Sequence, residues 1–429
     1  MDLIGAFVNL KDYKEELRPD IILGFSSKGK NITLYKCFEI KSSVSIPGLH
    51  TSSIGASVVL VGAHFEKTED IKFDSLSIHY SHVDNWANIS GFDSQQMFAN
   101  ALADEKEYLI RYKRPEPVQA TVNDDLRISI VVRADLPTIS TAQKEACIKE
   151  KTFIDIEPKK AKPLEEYWKV MYLIQNFLSL GIMAPVHPLA ITGKIKALEV
   201  VIEKGKTHHL RISIFYKVPA ISQATEEIMR FHMLFTFKDI SDSFQVFIRN
   251  WFEKAEVLKP VYDLYFGTLY NPRMYLHQRF LSLIHAIESY HRRIMRNYEL
   301  PEDEYIKKIT EILDAVPRNY ERWLEWKLKY SNEPRLRQRL EDILEACSEV
   351  VDTIIDDRGS FVDKTVDTRN YLTHYDPKLK ERAADGIELY NLTQKLGVLL
   401  EICLLKELGF GSDNIKSLTT RARGRGTLF

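Results

Sequence analysis

An arginine, an asparagine and a histidine stand close together in Arg369-Asn370-Tyr371-Leu372-Thr373-His374. A guanidinium that never deprotonates and an imidazole that titrates near neutral pH suffice to cut RNA without a metal. A base takes the 2′-hydroxyl proton, the oxygen attacks the adjacent phosphate, and a guanidinium donates to the oxygens on which charge builds. In that scheme His374 is general base and acid, Arg369 stabilises the transition state, and Asn370 positions the imidazole or the phosphate.

A helix through the segment restricts how these groups meet. Five residues at about 100° each leave Arg369 and His374 roughly 140° apart around the axis and about 7.5 Å along it, so they do not share a face. Asn370 and His374, four apart, do. Arg369 must curl round the helix, or a second copy of the chain must complete the site, and a two-fold interface bringing two such segments together meets the requirement. The same residues also allow a structural reading. Pro377 disfavours helix at Asp376, so His374 lies near a helix end where it can cap carbonyls, and Asp363 or Asp367 could pair with Arg369.

The elements that carry this segment follow from hydrophobic spacing. Before about residue 155, short apolar runs alternate with turn residues, as in Asp20–Phe25, Ser26–Asn31 and Ile32–Tyr35, with further runs at 56–65, 73–80, 107–113 and 126–132. They read as strands of a sandwich or curled sheet. Residues 164–180 have helical spacing, and strands follow at 197–202 and 210–216. From about Phe244 the pattern is helical, with a stripe of Phe280, Leu281, Ile284, Ile287 and Ile294. Another helix starts at Pro301, where Glu302, Asp303 and Glu304 suit the positive helix end. Others are expected at 320–330, 335–355, 361–375 and 387–408.

The fold class is therefore α+β multidomain, a β-rich N-terminal sandwich-like region followed by an all-α helical bundle. The boundaries read as 1–155 (β-rich), 156–243 (mixed), 244–412 (bundle) and 413–429 (basic flexible tail). The chain has 429 residues, more than one core usually organises. Its 59 Lys and Arg balance 60 Asp and Glu, so any surface for nucleic acid is a local patch. The start lacks a basic region followed by an apolar run, and no apolar run approaches the roughly 20 residues of a membrane span. The cysteines Cys37, Cys147, Cys347 and Cys403 form no Cys-x-x-Cys pair, which fits a reducing cytoplasm.

The helix Gln278 to Arg293, the segment Arg369 to Tyr375 and the closing helix Leu389 to Phe410 together resemble the ApeA-like HEPN domain. The stretches Ile22 to Tyr35 and Phe73 to Phe92 are similar to the β-rich region preceding it in ApeA proteins. HEPN domains are helical bundles, many of them ribonucleases with an Arg-x4-6-His motif at a dimer interface, and ApeA proteins are bacterial anti-phage factors. The resemblance implies an abortive-infection endoribonuclease that acts on RNA, assembles with itself and answers a phage-derived trigger; transfer RNA is the substrate to expect, because few cuts there halt translation. It assigns the motif to Arg369, Asn370 and His374.

Other residues carry less. Glu288 could hold Arg369, as an acid does in some HEPN proteins, or form a plain ion pair. His291, Arg292 and Arg293 could extend a basic groove or be a solvated face. Trp323, Trp326 and Tyr330, at three- and four-residue steps, read as core or interface rather than as a base-stacking platform, and Trp86 as packing. His208-His209 lacks ligands at metal spacing. Without Gly-x-x-x-x-Gly-Lys-Ser/Thr or Gly-x-Gly-x-x-Gly, neither nucleotide hydrolysis nor a dinucleotide cofactor is expected. Arg421-Ala422-Arg423-Gly424-Arg425-Gly426 could touch phosphates or be a solvated end. No metal, cofactor or membrane is expected. The rival readings are a non-catalytic sensor or oligomerisation scaffold, and the toxin half of a two-gene pair neutralised by a nucleotidyltransferase partner.

Overall fold

The computed structural model describes residues 2–4, 20–43, 51–93, 110–135, 138–140, 142, 144–202, 206–217 and 228–423. The chain divides into two compact units. One comprises residues 1–178, 186–230 and 236–245, the other 179–185, 231–235 and 246–429.

The first unit is built on one ten-stranded antiparallel sheet, where the sequence also allowed a sandwich. Its strands are β1 (Asp2–Ile4), β2 (Ile21–Phe25), β3 (Asn31–Ser43), β4 (Thr51–Val61), β6 (Ser75–Tyr80), β7 (Val118–Asn123), β8 (Leu126–Ala134), β11 (Glu150–Pro158), β13 (Pro188–Ile202) and β14 (Lys206–Tyr216). The order is β2-β3-β4-β14-β13-β6-β11-β8-β7, with β1 on β4. Short strands form two further pairs, β5 (Lys72–Phe73) with β12 (Lys162–Pro163) and β9 (Thr138–Ser140) with β10 (Glu145–Cys147). Residues 188–216 thus lie mid-sheet and are not a body apart. Of the expected strand at 107–113, residues 110–113 contribute only a bridge between Tyr112 and Phe92, and 107–109 lie outside the described residues.

Local chemistry explains much of this. The β2–β3 hairpin turns through Ser26 to Lys30, where Gly29 has φ +71°. β6 is covered on both faces: Leu76, Ser77, Ile78, His79 and Tyr80 are all buried. Gly193 of β13 approaches the Phe73 ring so closely that a Cβ would collide with it. Arg133 of β8 donates to both carboxylate oxygens of Asp155 on β11, at 2.8 and 2.6 Å, and to Ser77. Over this unit α1 (Val83–Ala87) buries Trp86 against Phe177 of α2 (Leu164–Ile182). Tyr167 of α2 donates to the Phe73 carbonyl at 2.8 Å. α3 (Phe237–Ile240) opens with a capping box from Thr236 and Asp239.

The remaining helices are α4 (Phe244–Glu253), α5 (Ala255–Tyr270), α6 (Leu276–Ile294), α7 (Glu302–Asp314), α8 (Arg318–Leu328), α9 (Leu336–Ala346), α10 (Ser348–Val351), α11 (Arg358–His374), α12 (Gly386–Leu408) and α13 (Ser412–Arg423). α12 is the central rod. Leu396, Leu399, Leu400, Ile402, Cys403, Leu404 and Leu405 are each at most 1% exposed, so it is enclosed on all sides. It ends at Gly409, φ +103°, the left-handed cap that glycine takes without strain. The expected 335–355 helix is broken at Cys347. The stretch expected to be a loose tail from 413 begins instead with α13, which buries Ile415 and Leu418. Residues 424–429, with the rest of the arginine tract, lie outside the described residues.

Candidate active site

α11 begins where Asp357 accepts a hydrogen bond from the Ser360 N–H at 3.0 Å. Its buried stripe is Phe361, Thr365, Thr368 and Leu372, and the Thr368 hydroxyl accepts from the Ala384 N–H at 2.9 Å. Burying that stripe turns Arg369 and Asn370 partly toward solvent. The helix stops at His374. Tyr375 is left-handed (φ 51°) and its N–H bonds the Tyr371 carbonyl, while Asp376 is extended before Pro377, as pre-proline sterics require.

The acids beside Arg369 are taken by other cations. Asp363 is bound by Arg337, and Asp367 lies 2.7 Å from Arg382. Arg369 instead donates to Asn370 Oδ1 at 3.0 Å, and its other terminal nitrogen is 3.8 Å from Glu288 Oε1 of α6. At that range the pair is a loose charge contact, with about a quarter of each side chain exposed. A phosphate can displace such a carboxylate. Asn370 spends its carbonyl on Arg369, so Asn370 braces the guanidinium and no hydrogen bond runs from it to His374. His374 is exposed, and among the described residues it has no hydrogen-bond or ion-pair partner. One chain therefore unites Arg369, Asn370 and Glu288 and leaves the imidazole in solvent.

His291 and Arg292, read as possible substrate contacts, have other places. His291 is 0% exposed. Arg339 Nη1, which can only donate, gives a hydrogen to His291 Nδ1 at 3.0 Å, so Nε2 carries the proton and donates to Asp342 at 2.8 Å. Burial pushes the imidazole pKa below its ordinary value. A ligand cannot reach it, and the groove reading is corrected for this residue. Arg292 is exposed but held at 2.6 Å by Glu333, which also lies 3.4 Å from Arg339.

Sequence reasoning missed Arg339, whose side chain is 3% exposed. Burial lowers its pKa, the nearby Arg292 charge lowers it further, and Glu333 and Glu288 oppose both. Glu288 thus acts on two guanidiniums, Arg339 and Arg369. Nothing in Arg335-Leu336-Arg337-Gln338-Arg339 distinguishes the buried arginine from its neighbours by type. Also unforeseen is the meeting of Cys347 and Cys403 in the bundle core, where a thiol–thiol hydrogen bond pushes Cys347 down and Cys403 up. Among the described residues no group of three or more His, Cys, Asp or Glu could hold a metal, and no helix is long and apolar enough to cross a membrane.

Residues 281–414, which fold as a helical bundle, match the family model described as Apea-like HEPN. Residues 2–251 match ApeA N-terminal domain 1, so the chain belongs to the ApeA-like HEPN family. The N-terminal match runs through the stretch that the sequence set apart as 156–243. No curated protein and no solved structure matches the chain.

Proposed function

We propose that this chain is an endoribonuclease that cleaves RNA by 2′-hydroxyl attack without needing a metal. The observation that carries the reading is the unequal pairing on α11: Asp363 and Asp367 are engaged by Arg337 and Arg382, while Arg369 has only a loose contact with Glu288 and His374 has no partner among the described residues. Arg369 then meets the phosphorane charge, Asn370 holds the guanidinium in place, and His374 moves the proton. Because Arg369 and His374 lie on different faces of one helix, two chains pack so that each supplies part of the site. HEPN domains are generally ribonucleases, and the ApeA-like N-terminal region supports a role in anti-phage defence by abortive infection, with the sheet-bearing unit answering a trigger. Transfer RNA is the substrate we favour, since few cuts there stop translation, and the cytoplasm the compartment.

The test is purified wild-type, Arg369→Ala and His374→Ala protein incubated with total bacterial RNA, followed by mapping of new ends. Ends that require both side chains, carry 2′,3′-cyclic phosphate and persist in chelator support the proposal. If both variants cleave as wild type does, Arg369 and His374 are not the site; if they lose folding and assembly instead, the two side chains are structural and the bundle is an oligomerisation scaffold.

A further inference from the structure

The helical hairpin α7–α8 stands out because neither helix buries a single residue. Its second helix nevertheless carries a run of large exposed rings. Tyr320, Trp323, Trp326 and, just past its end, Tyr330 are 56, 60, 69 and 67% exposed. Of the two readings of Trp323, Trp326 and Tyr330, core or interface, this exposure rules out core. Leaving several large rings in water forgoes burial worth roughly 1.5–3 kcal/mol for each large apolar side chain, so the face is built for a partner.

The charges say which partner. Arg318, Arg322, Lys327 and Lys329 outnumber Glu321 and Glu325 in 318–330. Each large ring beyond Tyr320 has a cation next to it in sequence: Arg322 before Trp323, Lys327 after Trp326, Lys329 before Tyr330. The ammonium groups of Lys327 and Lys329 lie over the rings of Trp326 and Tyr330, 4.9 and 5.3 Å from their centroids. A second copy of this chain would bring the same cationic face against itself at a two-fold axis. A polyanion with flat bases satisfies both features, the phosphates meeting the cations and the bases stacking on the rings.

The foot of the hairpin is fixed. Asn332 bonds the backbone of Leu300 in both directions at 2.9 Å and accepts from the Glu299 N–H. Tyr305 ties the two helices through the Leu328 carbonyl. Glu333, at the hairpin's foot, grips Arg292, one turn and so about 6 Å along α6 from Glu288, the carboxylate facing Arg369.

We infer that Tyr320, Trp323, Trp326 and Tyr330, with their flanking cations, form a stacking platform that captures single-stranded RNA and leads it to the Arg369 site. The inference deepens the ribonuclease reading and rests on it, yet is tested apart from it. Binding of a fluorescein-labelled unstructured RNA 12-mer is measured by anisotropy with the His374→Ala protein, with and without Trp323→Ala and Trp326→Ala together, and with Lys327→Glu and Lys329→Glu together. Circular dichroism and sedimentation are recorded for each. Both pairs of changes are expected to weaken binding at least tenfold with fold and subunit number unchanged, the stacking loss following from base–aromatic stacking of about 1–3 kcal/mol per base. Binding that survives the tryptophan changes overturns the platform, even if wild type still cleaves RNA. A loss of subunits with RNA affinity intact overturns it in favour of a self-association face. If His374→Ala abolishes no cleavage while the tryptophan changes still abolish binding, the catalytic reading fails and the platform stands.

Discussion

Asp367 stands two residues before Arg369 on α11, yet its carboxylate lies 2.7 Å from Arg382 while Arg369 meets Glu288 only at 3.8 Å. Residues two apart on a helix point away from each other, so sequence proximity does not pair them. The outcome is a cation held in direction by Asn370 and left available to an incoming anion.

Removing that cation should cost rate rather than stability. Arg369→Ala is expected to slow single-turnover cleavage by about 10²–10³, the usual loss for one donor to a developing oxyanion. Arg369→Lys should recover only part, because an ammonium cannot donate from a planar fork. Full recovery by lysine would show that a point charge suffices.

His374→Ala should lower the cleavage rate by about 10²–10⁴, the range for general acid–base groups. As an exposed residue without a partner among those described, it should leave folding stability within about 0.5 kcal/mol in urea titration. A large stability loss would mark His374 as a helix cap instead.

Glu288→Gln removes the charge that competes with phosphate for Arg369. In the His374→Ala background, RNA is expected to bind a few-fold tighter, with the gain shrinking as salt rises. Weaker binding would mean that Glu288 is needed to aim the guanidinium.

The buried His291 predicts a pH response. Burial lowers its pKa in the folded chain, so below about pH 6.5 the unfolded chain binds a proton that the folded chain does not. Stability from this group is full above that value and is lost as pH falls toward the lowered one. The urea midpoint of the wild type should therefore drop more steeply between about pH 7.5 and 5.5 than that of His291→Gln. Parallel profiles would remove His291 from the acid response.

Leu400 is 0% exposed in α12. Leu400→Ala should cost about 2–5 kcal/mol, from lost transfer energy and the cavity left behind. A cost below about 1 kcal/mol would show that the bundle collapses readily around the rod.

What the sequence revealed depended on whether a local pattern matched a solvent boundary. The stripe from Phe280 to Ile294 and the proline at 301 placed α6 and the start of α7 to within two residues, because one face of α6 meets core and the other water. β11 was not foreseen. Its Lys151, Asp155 and Glu157 look like surface, yet Asp155 is buried and neutralised by Arg133. Arg339 hid for the same reason: pairing across elements makes a charged residue an interior one, and no local window reports it. Trp323 and Trp326 are the opposite case, apolar by type and exposed by place, so core and interface could not be told apart from spacing. At the site, the residue types were legible, whereas the assignment of Asp363 and Asp367 to other cations required the fold.

The strand order has a consequence during synthesis. β4 and β6 are separated in the sheet by β14 and β13, which the ribosome delivers more than a hundred residues later. Until residues 188–216 emerge, the strands already made sit in two fragments with open edges facing each other across a gap, each a template for unwanted pairing. The β13–β14 hairpin then acts as a keystone, and a nascent chain halted before it should bind chaperones that release the chain once the hairpin is complete.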